Sequence, residues 1–231
     1  MQWLNNIFKQ KKSPYPLIIS FLALRKIVGI LGVSLPVILV LGVYIVGGCT
    51  NIQESISHYY YTTMRDVYVG VLFAIAIFLI SYRGYTPKDN IATTLAGIFV
   101  ICAALFPTTQ NQDTACTVYY LDHCNIRVYI HYGSAVLLFT TLAYISFFLF
   151  TKGEKHKRKR KILRNKIFRA CGIILMLTVA SIALIRTIPS IESALTPYNA
   201  IFWIEWIGLI AFGVSWMIKG KLLFKDFVEN S

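Results

Sequence analysis

Long apolar stretches separated by short polar ones dominate the chain, and their length is a stronger signal than any amphipathic periodicity. A helix that crosses a bilayer needs about 20 mostly apolar residues. Six stretches approach or reach that size: Ile27–Gly48, Val67–Tyr82, Ile91–Phe106, Val128–Thr151, Ile167–Ile188 and Tyr198–Ile218. The second is short as bounded and is expected to begin earlier, within Tyr59–Arg65, where polar residues hide its first turn. Two further apolar runs, Leu17–Leu24 and the face made by Leu222, Leu223, Phe224, Phe227 and Val228, are too short to cross and read as interfacial helices. The pattern therefore predicts an all-α, polytopic integral membrane protein. A basic N-terminal segment over 1–26 leads into a single bundle of six transmembrane helices over 27–218, followed by an amphipathic tail over 219–231. No small-residue cleavage pattern follows the early lysines, so the N-terminus is expected to be retained.

Composition agrees with this. The chain is 56% hydrophobic and only 14% charged, where a soluble domain carries roughly 25% charged residues. That balance excludes a soluble domain and a disordered scaffold. Its net charge of +13 needs a location, and the positions of Lys and Arg supply one. Of the 23 basic residues, 20 fall before the first stretch, between the second and third, around the fourth-to-fifth connection, or after the sixth. The positive-inside bias then predicts cytoplasmic termini in a bacterial cytoplasmic membrane, with the loops near 49–64, 107–127 and 189–197 facing outward. The run Lys155–Lys161 reads as a topology determinant lying against acidic lipid, so anionic headgroups are the expected partners of the 152–166 loop and nucleic acid is not expected.

Five cysteines are too few for a disulfide-knit fold. Cys102 and Cys171 lie within apolar stretches, where a thiol packs as a small apolar side chain. Cys116 and Cys124 share one outer loop and are expected to form a disulfide, although Cys49 is also on that side and pairing of Cys49 with either remains open. Zinc is the competing explanation for this loop, since His123 adjoins Cys124.

The informative residues are the polar ones near the outer helix ends. An ionised group inside a bilayer costs a few kcal/mol or more, so it normally faces the bundle interior, pairs, and marks a site. Arg65 and Asp66 open the second helix after His58 and Tyr60; Arg127 and His131, four apart, share a face of the fourth; Arg186 closes the fifth. Glu205 lies eight residues beyond Pro197, about 12 Å down the sixth helix, with Tyr198 seven residues before it on the same face. His58, Tyr60, Arg65, Asp66, Arg127, His131, Arg186, Tyr198 and Glu205 are the candidate ligand-binding residues. They are expected to converge on an outward-facing cavity with Glu205 at its floor and Arg186, on the preceding helix, as the expected partner of its carboxylate.

The order Ile56-Ser57-(x4)-Thr62, Phe106-Pro107-Thr108, His131-Tyr-Gly133-Ser-Ala135-(x3)-Phe139-(x4)-Tyr144 and Glu205-Trp206 resembles the six-span Frag1/DRAM/Sfk1 group and its bacterial DUF998-type relatives. The resemblance implies a six-helix membrane fold and a role in lipid handling, such as remodelling of lipid anchors or control of phospholipid distribution. Ser57–Tyr61 departs from the group's more usual small and acidic residues, and no catalytic mechanism transfers with a fold. Three functions follow. The first is recognition of a lipid headgroup, with arginines on phosphate and Glu205 on the base. The second is a metal-dependent hydrolase of a lipid amide or ester, with His58, Asp66, His123 and His131 as zinc ligands, although no helix-borne H-x-x-x-H pair is present. The third is a small-solute transporter, against which stand the lack of a repeat and of paired broken helices.

Overall fold

The computed structural model describes residues 21–84, 86–109, 116–121, 124–152 and 159–223, and the described residues contain helices and no strand. The elements are α1 (Phe21–Gly47), a 3-10 turn (Ile56–Tyr61), α2 (Arg65–Ser81), α3 (Pro87–Leu105), α4 (Asn125–Tyr144) running into a π-helical turn (Ile145–Leu149), α5 (Lys159–Thr187), the short α6 (Pro189–Leu195), a 3-10 turn (Thr196–Tyr198) and α7 (Ala200–Lys219). Five helices, Leu22–Gly47, Pro87–Leu105, Asn125–Leu149, Arg160–Thr187 and Ala200–Lys219, are long and apolar enough to cross a membrane. They coincide with five of the six apolar stretches. The sixth stretch is α2, a helix of 17 residues. Of the first expected interfacial helix, 21–24 belong to α1 and 17–20 lie outside the described residues; of the second, 224–231 lie outside them.

Local sequence sets several boundaries. Pro87 occupies the first turn of α3, where no backbone donor is required, and the Asp89 carboxylate accepts from the Thr86 amide at 3.0 Å. Asn199 adopts the left-handed conformation, φ 50°, and turns the chain from the second 3-10 turn into α7. In the π-helical turn Ser146 donates to the Phe168 carbonyl at 2.9 Å, tying the end of α4 to α5.

Each helix packs on its neighbour in sequence, and α7 returns to α1, so α1, α2, α3, α4, α5 and α7 close into a ring. The α1–α7 seam is tight: a Cβ on Gly29 would stand 2.6 Å from the Gly213 carbonyl oxygen, so only glycine allows this approach. Two buried clusters fill the ring. One, at the end carrying the 48–64 loop, gathers Leu35, Leu39, Tyr59, Tyr68 and Phe202; the other, at the basic end, gathers Ala76, Leu79, Leu175, Phe212 and Trp216.

Candidate functional site

The segment joining α1 to α2 is not an open loop. Gln53, Ser55, Ser57, His58, Tyr59, Tyr60, Tyr61 and Thr62 are all buried, and so the segment forms a roof over one end of the ring. Buried backbone polar groups need partners, and the roof finds them on three sides. The Phe202 amide donates to the Glu54 carbonyl at 3.0 Å, His58 Nε2 meets the Thr109 carbonyl at 2.8 Å, and the Val118 and Tyr119 amides both reach the Tyr61 carbonyl. Tyr61 donates its hydroxyl proton to the Thr108 carbonyl. A disulfide between Cys49 and Cys116, with Cα atoms 5.6 Å apart, fastens the start of the segment to the loop after α3.

Beneath the roof lies a cavity of about 240 Å³ between α4, α5 and α7. Towards the roof it is lined by Ser55, Ser57, Thr108, His131, Arg186 and Glu205 together with the apolar Ile201, and deeper by Ala135, Val136, Phe139, Val179 and Ile182 together with Thr178, so that most of its wall is apolar. Glu205 accepts a hydrogen bond from the Ile56 amide at 2.6 Å. His131 uses Nδ1 on the Phe106 carbonyl at 2.8 Å, so its other ring nitrogen is the acceptor in the neutral tautomer. Val136, Ala183 and Thr187 line the cavity and are exposed on the bundle's outer surface, so its α4–α5 side borders the surroundings of the bundle. A narrower cavity of about 90 Å³ shares Ser57, His131 and Glu205 and continues down the centre of the ring to Leu79 and Phe212.

Of the nine candidate ligand residues, the structure brings His131, Arg186 and Glu205 to the cavity. The other six lie elsewhere. Arg65 stacks over the rings of Tyr60 and Tyr119 at 4.6 and 4.9 Å and donates to the Tyr60 hydroxyl at 2.8 Å, which uses both residues within the roof. Asp66, one helical step of about 100° from Arg65, is exposed and sits in the first turn of α2, where a carboxylate meets the positive end of the helix dipole. Arg127 does not line the cavity, and its charge acts on the Tyr61 hydroxyl in the roof. Tyr198 is 74% exposed, because the left-handed Asn199 breaks the register that would have placed it above Glu205. His58 is buried in the roof, on Thr109.

Two expected partnerships are corrected. Arg186 is ion-paired with Glu192 of α6, so the nearest ligand of Glu205 is the Ile56 amide and not the Arg186 guanidinium. The expected Cys116–Cys124 bond is replaced by Cys49–Cys116, with Cys124 free and exposed, because the roof brings the end of α1 against Cys116. Among the described residues no three His, Cys, Asp or Glu side chains form a metal-binding group; His123 lies outside the described residues. Sequence reading missed Ser57, Thr108 and Tyr132, whose hydroxyls complete the polar wall, with Thr108 donating to Tyr132 at 2.9 Å. Comparison with protein families, with curated proteins and with solved structures finds no match.

His58 gives the roof a pH dependence. Burial pushes this histidine down from 6.5 to about 4, assisted by the positive field of Arg186 and by His131 and opposed by the hydrogen bond to Thr109. Between those two values the unfolded chain binds the proton and the folded chain does not, so stability is complete above pH 6.5 and falls as the pH drops towards 4. The full loss is about 3 kcal/mol. Thermal unfolding of purified protein at pH 7 and pH 4.5 should show most of that loss, and His58→Gln should flatten it; an unchanged slope in the variant would place the titrating group elsewhere.

Proposed function

We propose that this is a six-span membrane protein that binds an amphipathic lipid through a lateral mouth between α4 and α5, with a phosphorylated headgroup at the polar wall and an acyl chain along the apolar one. The observation that carries this reading is the wall chemistry. Selectivity for a solute comes from rings of carbonyls or charged side chains along a pore, whereas this cavity gathers its polar groups towards the roof, is mostly apolar below them and meets the bundle's outer surface at Val136, Ala183 and Thr187. Arg186 supplies the planar donor suited to phosphate, and Glu205 the carboxylate for an amine or alcohol on the headgroup. The motif order resembles that of the Frag1/DRAM/Sfk1 group, and a role in lipid handling is what that resemblance implies.

Lipid extraction from protein purified in mild detergent tests this. Wild-type protein should carry about one phospholipid per chain, and Arg186→Gln or Glu205→Gln should lose most of it while keeping the fold. Ala183→Trp, which fills the mouth from an exposed position, should do the same without touching the polar wall. Lipid retained by all three variants, or absent from wild type, would end the proposal. Glu205→Leu should also destabilise the protein by about 1–3 kcal/mol, because it leaves the Ile56 amide without its acceptor.

The orientation proposed with it puts the roof outside and the basic end in the cytoplasm, with α2 as the sixth crossing. In a cysteine-free background, a cysteine at Tyr120 should react with an impermeant maleimide in intact cells and one at Lys221 only after lysis. The opposite pattern would put the cavity in the inner leaflet.

A further inference from the structure

The two cavities under the roof meet at Ser57, His131, Ala135, Phe139 and Glu205, which line both. Around that junction, side chains from three helices present acceptors that the protein leaves unfilled. Glu205 of α7 takes the Ile56 amide at 2.6 Å and has no other hydrogen bond among the described residues, so its second carboxylate oxygen is open. His131 of α4 is buried, and its Nδ1 lies 2.8 Å from the Phe106 carbonyl and 3.2 Å from the Ala103 carbonyl. Both of those neighbours are acceptors, so Nδ1 carries the proton and Nε2 is left as an acceptor. Tyr68 of α2 lines the central cavity and is only 4% exposed, and its hydroxyl has no hydrogen-bond partner among the described residues. Ser57, by contrast, is already paired with Ser55 at 2.9 Å.

A buried polar group without a partner costs stability, and a carboxylate costs more than a hydroxyl or an imidazole. The arginine lining these cavities is Arg186, whose Nη1 is committed to Glu192 and whose Nε is buried with no acceptor. The lining therefore matches a ligand that carries both signs: an anion for Arg186, and a cation rich in N–H for Glu205, His131 Nε2 and the Tyr68 hydroxyl oxygen. A primary ammonium has a full positive charge and three N–H donors. A glycerol headgroup has donors but no charge to offset the carboxylate. A choline headgroup has the charge but no N–H, which would leave every one of these acceptors unfilled. A serine headgroup adds a second carboxylate, which Glu205 repels. Ethanolamine phosphate joins the two required charges by a short link and adds neither fault.

We propose that Glu205, His131 and Tyr68 form a primary-ammonium subsite, and that the lipid bound under the roof is of the phosphatidylethanolamine class, with its phosphate at Arg186. The proposal rests on the lipid-binding reading above and names the headgroup. Tyr68, on the helix farthest in sequence from Glu205 and His131 among the three, becomes a residue that sets headgroup specificity.

The test uses full-length protein in nanodiscs, with native mass spectrometry counting lipid adducts and thermal melting as a second readout. Phosphatidylethanolamine is compared at equal mole fraction with its mono-, di- and trimethylated forms, the last being phosphatidylcholine. Binding to wild type should fall with each methyl, by about tenfold or more across the series. Tyr68→Phe removes one acceptor and keeps the ring, so it should weaken phosphatidylethanolamine binding about fivefold and leave phosphatidylcholine unchanged, a shift in ratio that a purely structural role would not give. Glu205→Gln should nearly abolish the preference for phosphatidylethanolamine; should that variant fail to fold, Tyr68→Phe decides the matter alone. Soluble glycerophosphoethanolamine in a phosphatidylcholine disc distinguishes the sources of the ammonium: protection equal to that from phosphatidylethanolamine would support the subsite but overturn the lipid as its ligand. Wild-type protein that holds phospholipid but ranks the methylated series equally, or variants that keep the wild-type ratio, would overturn the subsite and leave the lipid-binding reading standing. Wild-type protein that holds no phospholipid at all would overturn both.

Discussion

Replacing Cys49 by alanine should cost the protein about 4 kcal/mol. The bond from Cys49 to Cys116 closes 67 residues of chain, and a cross-link of that span removes about that much loop-closure entropy from the unfolded state. The closed segment includes the roof, α2 and α3. In the folded protein the loss falls where the tether acts, at the entry to the roof, so the Ile56–Glu205 and His58–Thr109 hydrogen bonds should loosen before the ring does. Cys124→Ala should change neither melting nor lipid content, since that thiol is exposed and unpaired. Non-reducing peptide mapping of wild-type protein checks the pairing directly and should join the Cys49 and Cys116 peptides. Recovery of a Cys116–Cys124 peptide, or a Cys49→Ala variant that melts with wild type, would contradict the fold of the roof.

The helices were legible because the property that defines them is local. Five apolar stretches reappear as long helices, the first and fifth of which start earlier, through the basic residues that precede them, and α2 keeps its position but opens with Arg65 and Asp66, polar residues that an apolar window excludes. The depth counted for Glu205 from Pro197 did not carry over, because the left-handed Asn199 interrupts that run and α7 starts only at Ala200. Directions around a helix were harder. Arg65 and Asp66 are neighbours in sequence and part company because consecutive helical positions diverge, and of Arg127 and His131, four apart on α4, only His131 lines the cavity. The partners of the charged residues were hidden for another reason. The ligand of Glu205 is a backbone amide, which every residue except proline has, so no side-chain pattern marks Ile56. Arg186 finds Glu192 only because Pro189 starts a new helix that folds back beside it. The disulfide depended on the roof being a folded layer, and its one sequence signal was a run of Ser, His and Tyr that is unusually rich in groups able to satisfy a buried backbone.

Gly213→Val should be as damaging as loss of the disulfide, and through packing alone. The Cβ that valine adds would stand 2.5 Å from the Gly29 carbonyl oxygen and would also overlap the Val33 side chain, and the first of these is backbone that no rotamer change can move. The helices must therefore separate at the α1–α7 seam, which opens the packing of Leu35, Phe212 and Trp216, at a cost of about 3 kcal/mol for the overpacking. Separation also moves the site. The Phe202 amide and the Glu205 carboxylate, both on α7, hold the roof through Glu54 and Ile56, so a shift of α7 away from α1 pulls on two hydrogen bonds at once. The expected outcome is a protein with a much lower melting temperature that has also lost the lipid bound under its roof. Gly133→Ala is the matched control: it lies on α4 with no atom within 4 Å of the added Cβ, and should stabilise that helix by up to about 1 kcal/mol. A Gly213→Val protein that melts with wild type and keeps its lipid would mean that α1 and α7 do not meet through their glycines, and the ring would have to close by a different contact.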